Sequence, residues 1–336
     1  GYRTALIGKW HLGHDSGHIP NHHGFDEFFG LLFSNDMNVR DNPSYGHKIK
    51  DKNLLSLWRD TNRIDQEVYL PTLTQRYTAE AKNFILKNQD HPFFLYMAHW
   101  APHEPFAASA QFNGKSLYGL YGDVVEEMDY SVGEIFETLN NLNLLDHTII
   151  VISSDNGARV TPQRFGNHDR AGSNGGLRGR KTFTFEGGIR VPSIAYWKDH
   201  ILRGKEESQP AIMSDWLPTF ANITNASLPE DLILDGVDLS PVLFDNEKLE
   251  LRTLFFYRRD ELQAVRHGKW KYKVTDFPTE KEKSKKSFSS DCYNETPVLF
   301  NLEEDPWEQN NLLDQYPDIA NMLQLKIDSF SNSIGN

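Results

Sequence analysis

Thr4-Ala5-Leu6-Ile7-Gly8-Lys9-Trp10-His11-Leu12-Gly13 is the stretch on which the reading of this chain turns. A short apolar run, Thr4–Ile7, gives way at once to glycine, lysine, tryptophan and histidine. Such a run fits a strand buried in a sheet that delivers its next side chains to a pocket. The pattern recurs. Phe93–Ala98 leads directly into His99-Trp100-Ala101-Pro102-His103-Glu104-Pro105, and the run Thr148–Ser153 ends in Ser153-Ser154-Asp155-Asn156-Gly157. Ser193–Trp197 is a fourth run of this kind, and all four read as central strands covered on both faces.

Helical periodicity fills the gaps. Thr74–Lys87 repeats Tyr77, Ala81, Phe84 and Ile85, and Asp123–Leu142 aligns Val124, Val125, Met128, Val132, Ile135, Phe136, Leu139 and Leu142. On the second helix Glu126, Glu127, Asp129, Glu134 and Glu137 read as a solvated face. Strand–helix–strand alternation predicts an α/β sheet whose ligands bind beyond the carboxyl ends of its strands. After about Leu254 the texture changes. Leu254–Tyr257, Gln263–Arg266 and Lys269–Val274 read as short strands, with His267-Gly268 as a hairpin turn. Thr279–Ser290, with Lys281, Lys283, Lys285 and Lys286, reads as an exposed loop, followed by a strand Val298–Leu302 and a helix Pro317–Ser329. The expected division is therefore 1–253, an α/β domain, and 254–336, a small antiparallel α+β subdomain.

Composition bounds what such a chain does. Its 336 residues are 38% hydrophobic and 12% aromatic, too apolar for a disordered chain. No apolar run approaches the ~20 residues of a membrane-spanning helix. With 35 Lys+Arg against 47 Asp+Glu, the net charge of −12 argues against general nucleic-acid binding. The single cysteine, Cys292, excludes an internal disulfide framework and a cysteine-based zinc site. Gly1 stands where a methionine is expected and no signal peptide precedes it, so the chain reads as a fragment of a longer protein.

Asp155 and Asn156 are adjacent hard-oxygen donors suited to Ca²⁺ or Mg²⁺, and the same tripeptide with Gly157 is also an ordinary turn former. A Ca²⁺ shell needs ~6–8 oxygens, so other ligands must come from elsewhere. Lys9 and His11 share a side if the strand continues, where a fixed charge and a proton shuttle would suit an anion. Taken singly, they read first as a solvated lysine and a histidine making a structural hydrogen bond. His14, His18, His22 and His23 lie in an irregular segment and read as surface or structural groups. Gly175–Pro192 places Arg178, Arg180 and Lys181 among glycines, as an anion-binding loop or as a flexible loop with solvated cations.

In this order, the four segments resemble the sulfatase family. Gly8-Lys9-Trp10-His11-Leu12-Gly13 is similar to one of its signature regions. Ser-Asp-Asn-Gly, Gly-Leu-Arg-x-x-Lys and Glu-Gly-Gly-x-Arg-x-Pro match its later segments. His23–Gly30, His91–Tyr96, Gly119–Val132, Gly172–Gly175, Leu239–Leu243 and Phe256–Arg258 are most similar to its N-acetylgalactosamine-6-sulfatase branch. The resemblance implies an alkaline-phosphatase-like mixed sheet flanked by helices, and hydrolysis of a sulfated sugar or aryl sulfate with one Ca²⁺ and a formylglycine nucleophile. Carried over by residue, Asp155 and Asn156 would bind Ca²⁺, and Lys9 and Lys181 the sulfate. His11 would hydrogen-bond the formylglycine hydroxyl and help release sulfate, and His103 would protonate the departing alcohol.

The family's Cys/Ser-x-Pro-x-Arg nucleophile and two further aspartates are not in this sequence. Cys292, in Ser289-Ser290-Asp291-Cys292-Tyr293-Asn294, cannot replace the nucleophile. The isolated chain is therefore expected to be inactive and poorly folded. A broad arylsulfatase, a phosphoesterase on the same fold and a non-catalytic anion-binding relative remain alternatives. Asn222-Ile223-Thr224, Asn225-Ala226-Ser227 and Asn294-Glu295-Thr296 are glycosylation sequons, compatible with a lysosomal or secreted protein. A homodimer is compatible with this reading.

Overall fold

Glycine at two neighbouring strand positions sets the spacing of the first sheet. β1 (Arg3–Lys9) lies between β2 (Glu27–Leu31) and β5 (Phe93–Ala98) and runs parallel to both. Gly8 pairs with Gly30 on one side and Ala98 on the other. A Cβ at Gly30 would sit 1.7 Å from the Gly8 carbonyl oxygen, and one at Gly8 would sit 1.8 Å from that of Ala98. Gly8 also has φ +130, which side chains disfavour. The computed structural model describes residues 1–37, 55–65, 68–159, 172–284 and 289–334. Those residues divide into two compact units, 1–148 and 149–159 with 172–334.

In the first unit the sheet continues antiparallel through β3 (Leu57–Arg59) and β4 (Asn62–Asp65), in the order β4-β3-β2-β1-β5. The core is apolar: Ala5, Ile7, Phe29, Leu31 and Leu57 meet Leu73, Tyr77, Ala81 and Phe84 of α1 (Leu73–Lys87). α2 (Gly119–Asn141) packs against α1, where Thr78 and Ser131 hydroxyls are 2.6 Å apart and Lys82 pairs with Glu134. Two expectations need correction here. Among the described residues β5 is the last strand of this sheet and is not covered on both faces: Phe94 and Tyr96 are exposed while Phe93, Leu95 and Met97 pack on the core. Glu127 is buried rather than solvated, because its carboxylate accepts the Ser109 backbone N–H at 2.9 Å. One turn earlier, buried Asp123 accepts the N–H groups of Gly114, Lys115 and Ser116. Burial alone would raise the Asp123 carboxyl, but these three donors outweigh it and hold it below its ordinary value.

The second unit has two sheets. β6 (Ile150–Ser153) and β7 (Ser193–Tyr196) form an antiparallel pair. Ile194 on β7 is exposed. Between them lies the short helix α3 (Glu186–Ile189), and α4 (Trp216–Thr224) follows. The second sheet has the order β11-β10-β9-β8, all antiparallel, from β8 (Thr253–Arg258), β9 (Glu261–His267), β10 (Trp270–Lys273) and β11 (Val298–Asn301). The β9–β10 hairpin turns at Gly268, with φ +59. α5 (Pro317–Ser333) covers one face, packing Ala320, Leu323 and Ile327 on Val265, Tyr272 and Leu299.

The other face of β10 carries Lys271 and Lys273, both fully buried. Lys271 Nζ lies 2.9 Å from Glu186 and 2.8 Å from Glu308, and Lys273 Nζ lies 3.2 Å from Asp276. In the lysine-rich stretch, Glu280–Lys283 is a single helical turn rather than loop. It is capped by Thr279, whose hydroxyl accepts the Glu282 N–H while the Glu282 carboxylate accepts that of Thr279. Lys285 and Lys286 lie outside the described residues.

Candidate active site

Because β2, β1 and β5 are parallel neighbours, the segments that follow them leave the same end of one sheet. Lys9 is the last residue of β1 and is half-buried. The strand stops there, so strand alternation does not relate Lys9 to His11. Trp10 and His11 are instead held by N–H bonds to the carbonyls of Leu31 and Leu32, and His11 is left-handed with φ 58. The Trp10 indole donates to the His18 carbonyl at 2.7 Å. Gly13 closes the segment because a Cβ there would lie 2.6 Å from that of His18.

His103 is held by the residues after β2. Fully buried Asn35 donates its amide to the carbonyls of His103 and Pro105, at 3.2 and 3.4 Å. The His103 Nδ1 lies 2.7 Å from the Glu104 carbonyl oxygen, which can only accept. Nδ1 therefore carries a hydrogen, and Nε2 is the atom at which this ring exchanges a proton. Sequence reading passed over Asn35, which lies in no apolar run or glycine motif. It also gave no role to His99, whose two ring nitrogens are buried without a hydrogen-bond partner. Burial pushes the His99 imidazole down to about 4.

The remaining expected residues lie in the second unit. Asp155 and Asn156 follow β6. The Asn156 amide nitrogen donates to the Gly157 carbonyl at 3.1 Å, which turns Oδ1 the other way, and the Asp155 carboxylate is exposed. Gly157 is required because a Cβ would lie 2.0 Å from the Gly187 carbonyl oxygen. Lys181 joins this turn through its backbone, whose N–H donates to the Ala158 carbonyl at 3.0 Å. Asn174 fastens the same segment, accepting from Ala158 at 2.8 Å and donating to Gly179 at 2.9 Å. The turn thus brings Asp155, Asn156 and Lys181 into one locality. Two oxygen donors have the right chemistry for Ca²⁺ but do not complete its shell. Among the described residues, no group of three or more His, Cys, Asp or Glu could hold a metal ion.

His22 Nδ1 accepts the Gly17 N–H, His23 lies against Trp10, and the His14 ring meets Phe33, so these histidines have structural contacts. Cys292 is 3% exposed and burial raises its thiol, which disfavours the thiolate a nucleophile needs. Of the sequons, Asn294 is buried with its amide donating to the Val274 and Thr296 carbonyls. The Asn222 amide is engaged by Asp238 and Ser240, whereas Asn225 is exposed at the end of α4. No helix among the described residues is long and apolar enough to cross a membrane.

Residues 1–226 match the family model described as Sulfatase, and residues 250–336 match that of the C-terminal region of aryl-sulfatase. The chain is 35% identical to mouse (Mus musculus) N-acetylgalactosamine-6-sulfatase over 95% of its own length and 64% of that protein. It is 36% identical to bovine (Bos taurus) arylsulfatase A over 95% of its length and 66% of that one. It therefore spans just under two thirds of each. The crystal structure of the PsFucS1 sulfatase from Pseudoalteromonas sp. superposes with a TM-score of 0.85 at 25% identity, covering 99% of this chain and 71% of that one. A fold, two consecutive family matches and relatives similar over 95% of this chain agree, and the chain belongs to the sulfatase family.

Proposed function

We propose that this chain is the larger part of a calcium-dependent enzyme that hydrolyses sulfate esters of glycosaminoglycan sugars. The observation that carries this reading is the parallel register that sends the Lys9–His11 and His99–His103 segments from one sheet end. The two similar mammalian enzymes supply the substrate classes: one is named for N-acetylgalactosamine 6-sulfate, the other for aryl sulfates. Their near-equal identities leave a broad arylsulfatase as the alternative reading.

In this proposal Lys9 and Lys181 neutralise charge on the sulfuryl oxygens, where fixed cations act most strongly in a site shielded from water. His103, with Nδ1 bound to the Glu104 carbonyl, gives its Nε2 proton to the departing sugar oxygen. His11 takes the proton that allows sulfate to leave. Asp155 and Asn156 would contribute two of the Ca²⁺ ligands, the ion supplying Lewis-acid stabilisation of the sulfuryl group when bound. The formylglycine nucleophile is assigned outside these residues, since Cys292 is buried and lacks its motif. The open Asn225 sequon supports a lysosomal or secreted protein.

The test is to express the complete open reading frame with a formylglycine-generating enzyme and assay N-acetylgalactosamine 6-sulfate and 4-nitrocatechol sulfate. Lys9→Ala and His103→Ala should each lower kcat by about a hundredfold or more. His103→Ala should lose more on the sugar ester, whose alcohol is the poorer leaving group. No turnover of either ester, with or without added Ca²⁺, would overturn the proposal.

A further inference from the structure

The second unit contains a cavity of about 550 Å³, bounded by the glycine loop Gly176–Arg180, the segment around Asp291 and the turn Trp307–Gln309. Its walls are far apart in sequence, yet one side chain fastens all three. Arg178, on the glycine loop, donates Nε to the Asp291 carbonyl at 2.8 Å, Nη2 to that of Tyr293 at 3.2 Å and Nη1 to that of Glu308 at 3.2 Å. Its guanidinium also lies 4.0 Å from the centre of the Phe185 ring. Arg178 is thus committed to building the cavity rather than to a ligand.

The third wall is held independently. Asp305, nearly buried, accepts the backbone N–H groups of Gln309 at 2.8 Å and Asn310 at 2.7 Å. That turn presents Trp307, which is 46% exposed. The indole lies beside the glycine loop, its Cδ1 and Nε1 3.5 Å from where a Cβ at position 176 would stand, an ordinary van der Waals separation. What faces the cavity is then a large exposed indole, the half-buried guanidinium of Arg180, the exposed carboxylate of Asp291 and the amide of Gln309. An apolar ring beside convergent donors and acceptors, in a volume within ~300–1,000 Å³, is the make-up of a small-molecule site. A cation, Arg180, and a carboxylate, Asp291, from two different walls leave it without strong net charge. They suit a ring with apolar C–H faces and several hydroxyls better than an isolated anion.

We propose that this cavity is a saccharide subsite, taking the pyranose that adjoins the sulfated sugar, with the ring on Trp307 and its hydroxyls bound by Asp291 and Arg180. Resting on the sulfated-sugar reading, it adds a reason why an extended saccharide would be preferred to a small ester. Lys181, the sulfate-binding residue of that reading, is the next residue after Arg180, so one loop carries both residues.

The test is binding without chemistry. Saturation-transfer NMR and calorimetry of the complete protein, expressed from the full open reading frame, with an unsulfated chondroitin tetrasaccharide should show binding. Trp307→Ala should weaken it about tenfold, the worth of one aromatic contact, while Trp307→Phe retains most of it. Thermal melts identify any variant that fails to fold, and Arg180→Ala then serves as the second variant, expected to weaken binding with the fold intact. Absence of binding to the parent chain, or unchanged binding in both Trp307→Ala and Arg180→Ala, overturns the subsite. Turnover of 4-nitrocatechol sulfate by the complete enzyme separates the two readings. Turnover without saccharide binding leaves the sulfatase proposal standing and removes the subsite; saccharide binding without turnover does the reverse.

Discussion

The five-stranded sheet of the first unit and the four-stranded sheet of the second bury their central strands in opposite ways. β1 buries Ala5, Leu6 and Ile7, and its tightest contacts are between backbones at Gly8 and Gly30. β10 buries Lys271 and Lys273 and surrounds them with Glu186, Glu308 and Asp276. The first sheet is held by apolar area and close approach, and steric change should break it. The second is held on one face by paired charges, and removing one partner should break it, because an unpaired buried charge costs more than the pair contributes.

The sharpest break of the comparison is steric. Gly8→Ala places a methyl within 1.8 Å of the Ala98 carbonyl and forces a side chain into φ +130. β5 would have to move away from β1 while residue 8 keeps a disfavoured φ, so the expected cost is about 5 kcal/mol, above the usual ~1–3 for overpacking. Urea unfolding followed by hydrogen exchange should show protection lost first in β1 and β5, with β9 and β10 retaining theirs. Equal loss in both sheets would mean the two are not independent in how they fail.

The electrostatic counterpart is Lys271→Met. It leaves Glu186 and Glu308 buried without their shared cation, at an expected cost of about 3–5 kcal/mol. Burial raises the Glu308 carboxyl despite Lys271, whereas Lys271, followed by Arg266, holds Glu186 below its ordinary value against burial. One cation therefore serves two carboxylates, of which Glu308 is the easier to protonate. Glu308→Gln, which keeps an acceptor for the Glu186 N–H, should cost less than Lys271→Met. Urea midpoints of the two variants check the order; a larger loss for Glu308→Gln would reverse the assignment.

This contrast also explains what the sequence could disclose. β1, β5, α1 and the hairpin at Gly268 are legible because each is a local pattern: an apolar run, a 3.6-residue period, a glycine at a turn. The Gly-Lys-Trp-His-Leu-Gly segment is legible as a contiguous motif, although only Gly13 is demanded by a local neighbour, His18, while Gly8 is demanded by the distant Ala98. Glu186 and Lys271 are 85 residues apart, and no period joins them. Glu127 looked like solvated acid because a helical wheel gives the side of a residue, not the loop that folds over it. Asn35 and His99 are placed by three-dimensional proximity alone. The pairing of β6 with β7 was likewise out of reach, since an apolar run does not name its partner.

His99 sharpens the comparison from within the apolar unit, since that unit buries an imidazole with no partner for either nitrogen. Its folded value near 4 lies below the ordinary ~6.5, so between these values the unfolded chain binds a proton that the folded chain refuses. Its contribution is intact above about pH 6.5 and is lost progressively as the pH falls towards 4, to a limit of about 3 kcal/mol. His99→Phe should flatten this part of the stability profile and change little at pH 7.5. Urea titrations at pH 7.5, 6 and 5 would read the difference. Parallel profiles for the two proteins would show that the nitrogens find partners in solution.

The smallest expected effect belongs to the charged side of the comparison, where Glu282 closes the helical turn next to the buried lysines. Burial alone would raise its carboxyl, but the Thr279 N–H and hydroxyl, at 2.9 and 2.8 Å, together with Arg259 and Arg258, hold it at about 2. A depressed carboxyl adds stability above its unfolded value near ~4.3 and loses it as the pH falls through about 2. Glu282→Gln keeps an oxygen for the cap but gives up the charge facing Arg258, which also pairs with Asp276 at 2.8 Å. The retained Asp276 pair limits the loss to about 1 kcal/mol at pH 7, as for other partly exposed pairs and caps. The difference from the parent chain should shrink between pH 4 and pH 2, in the same direction as the His99 effect but at lower pH. Equal stability at pH 7 would show that Asp276 alone satisfies Arg258, and that the charged face depends on its fully buried pairs rather than on this peripheral one.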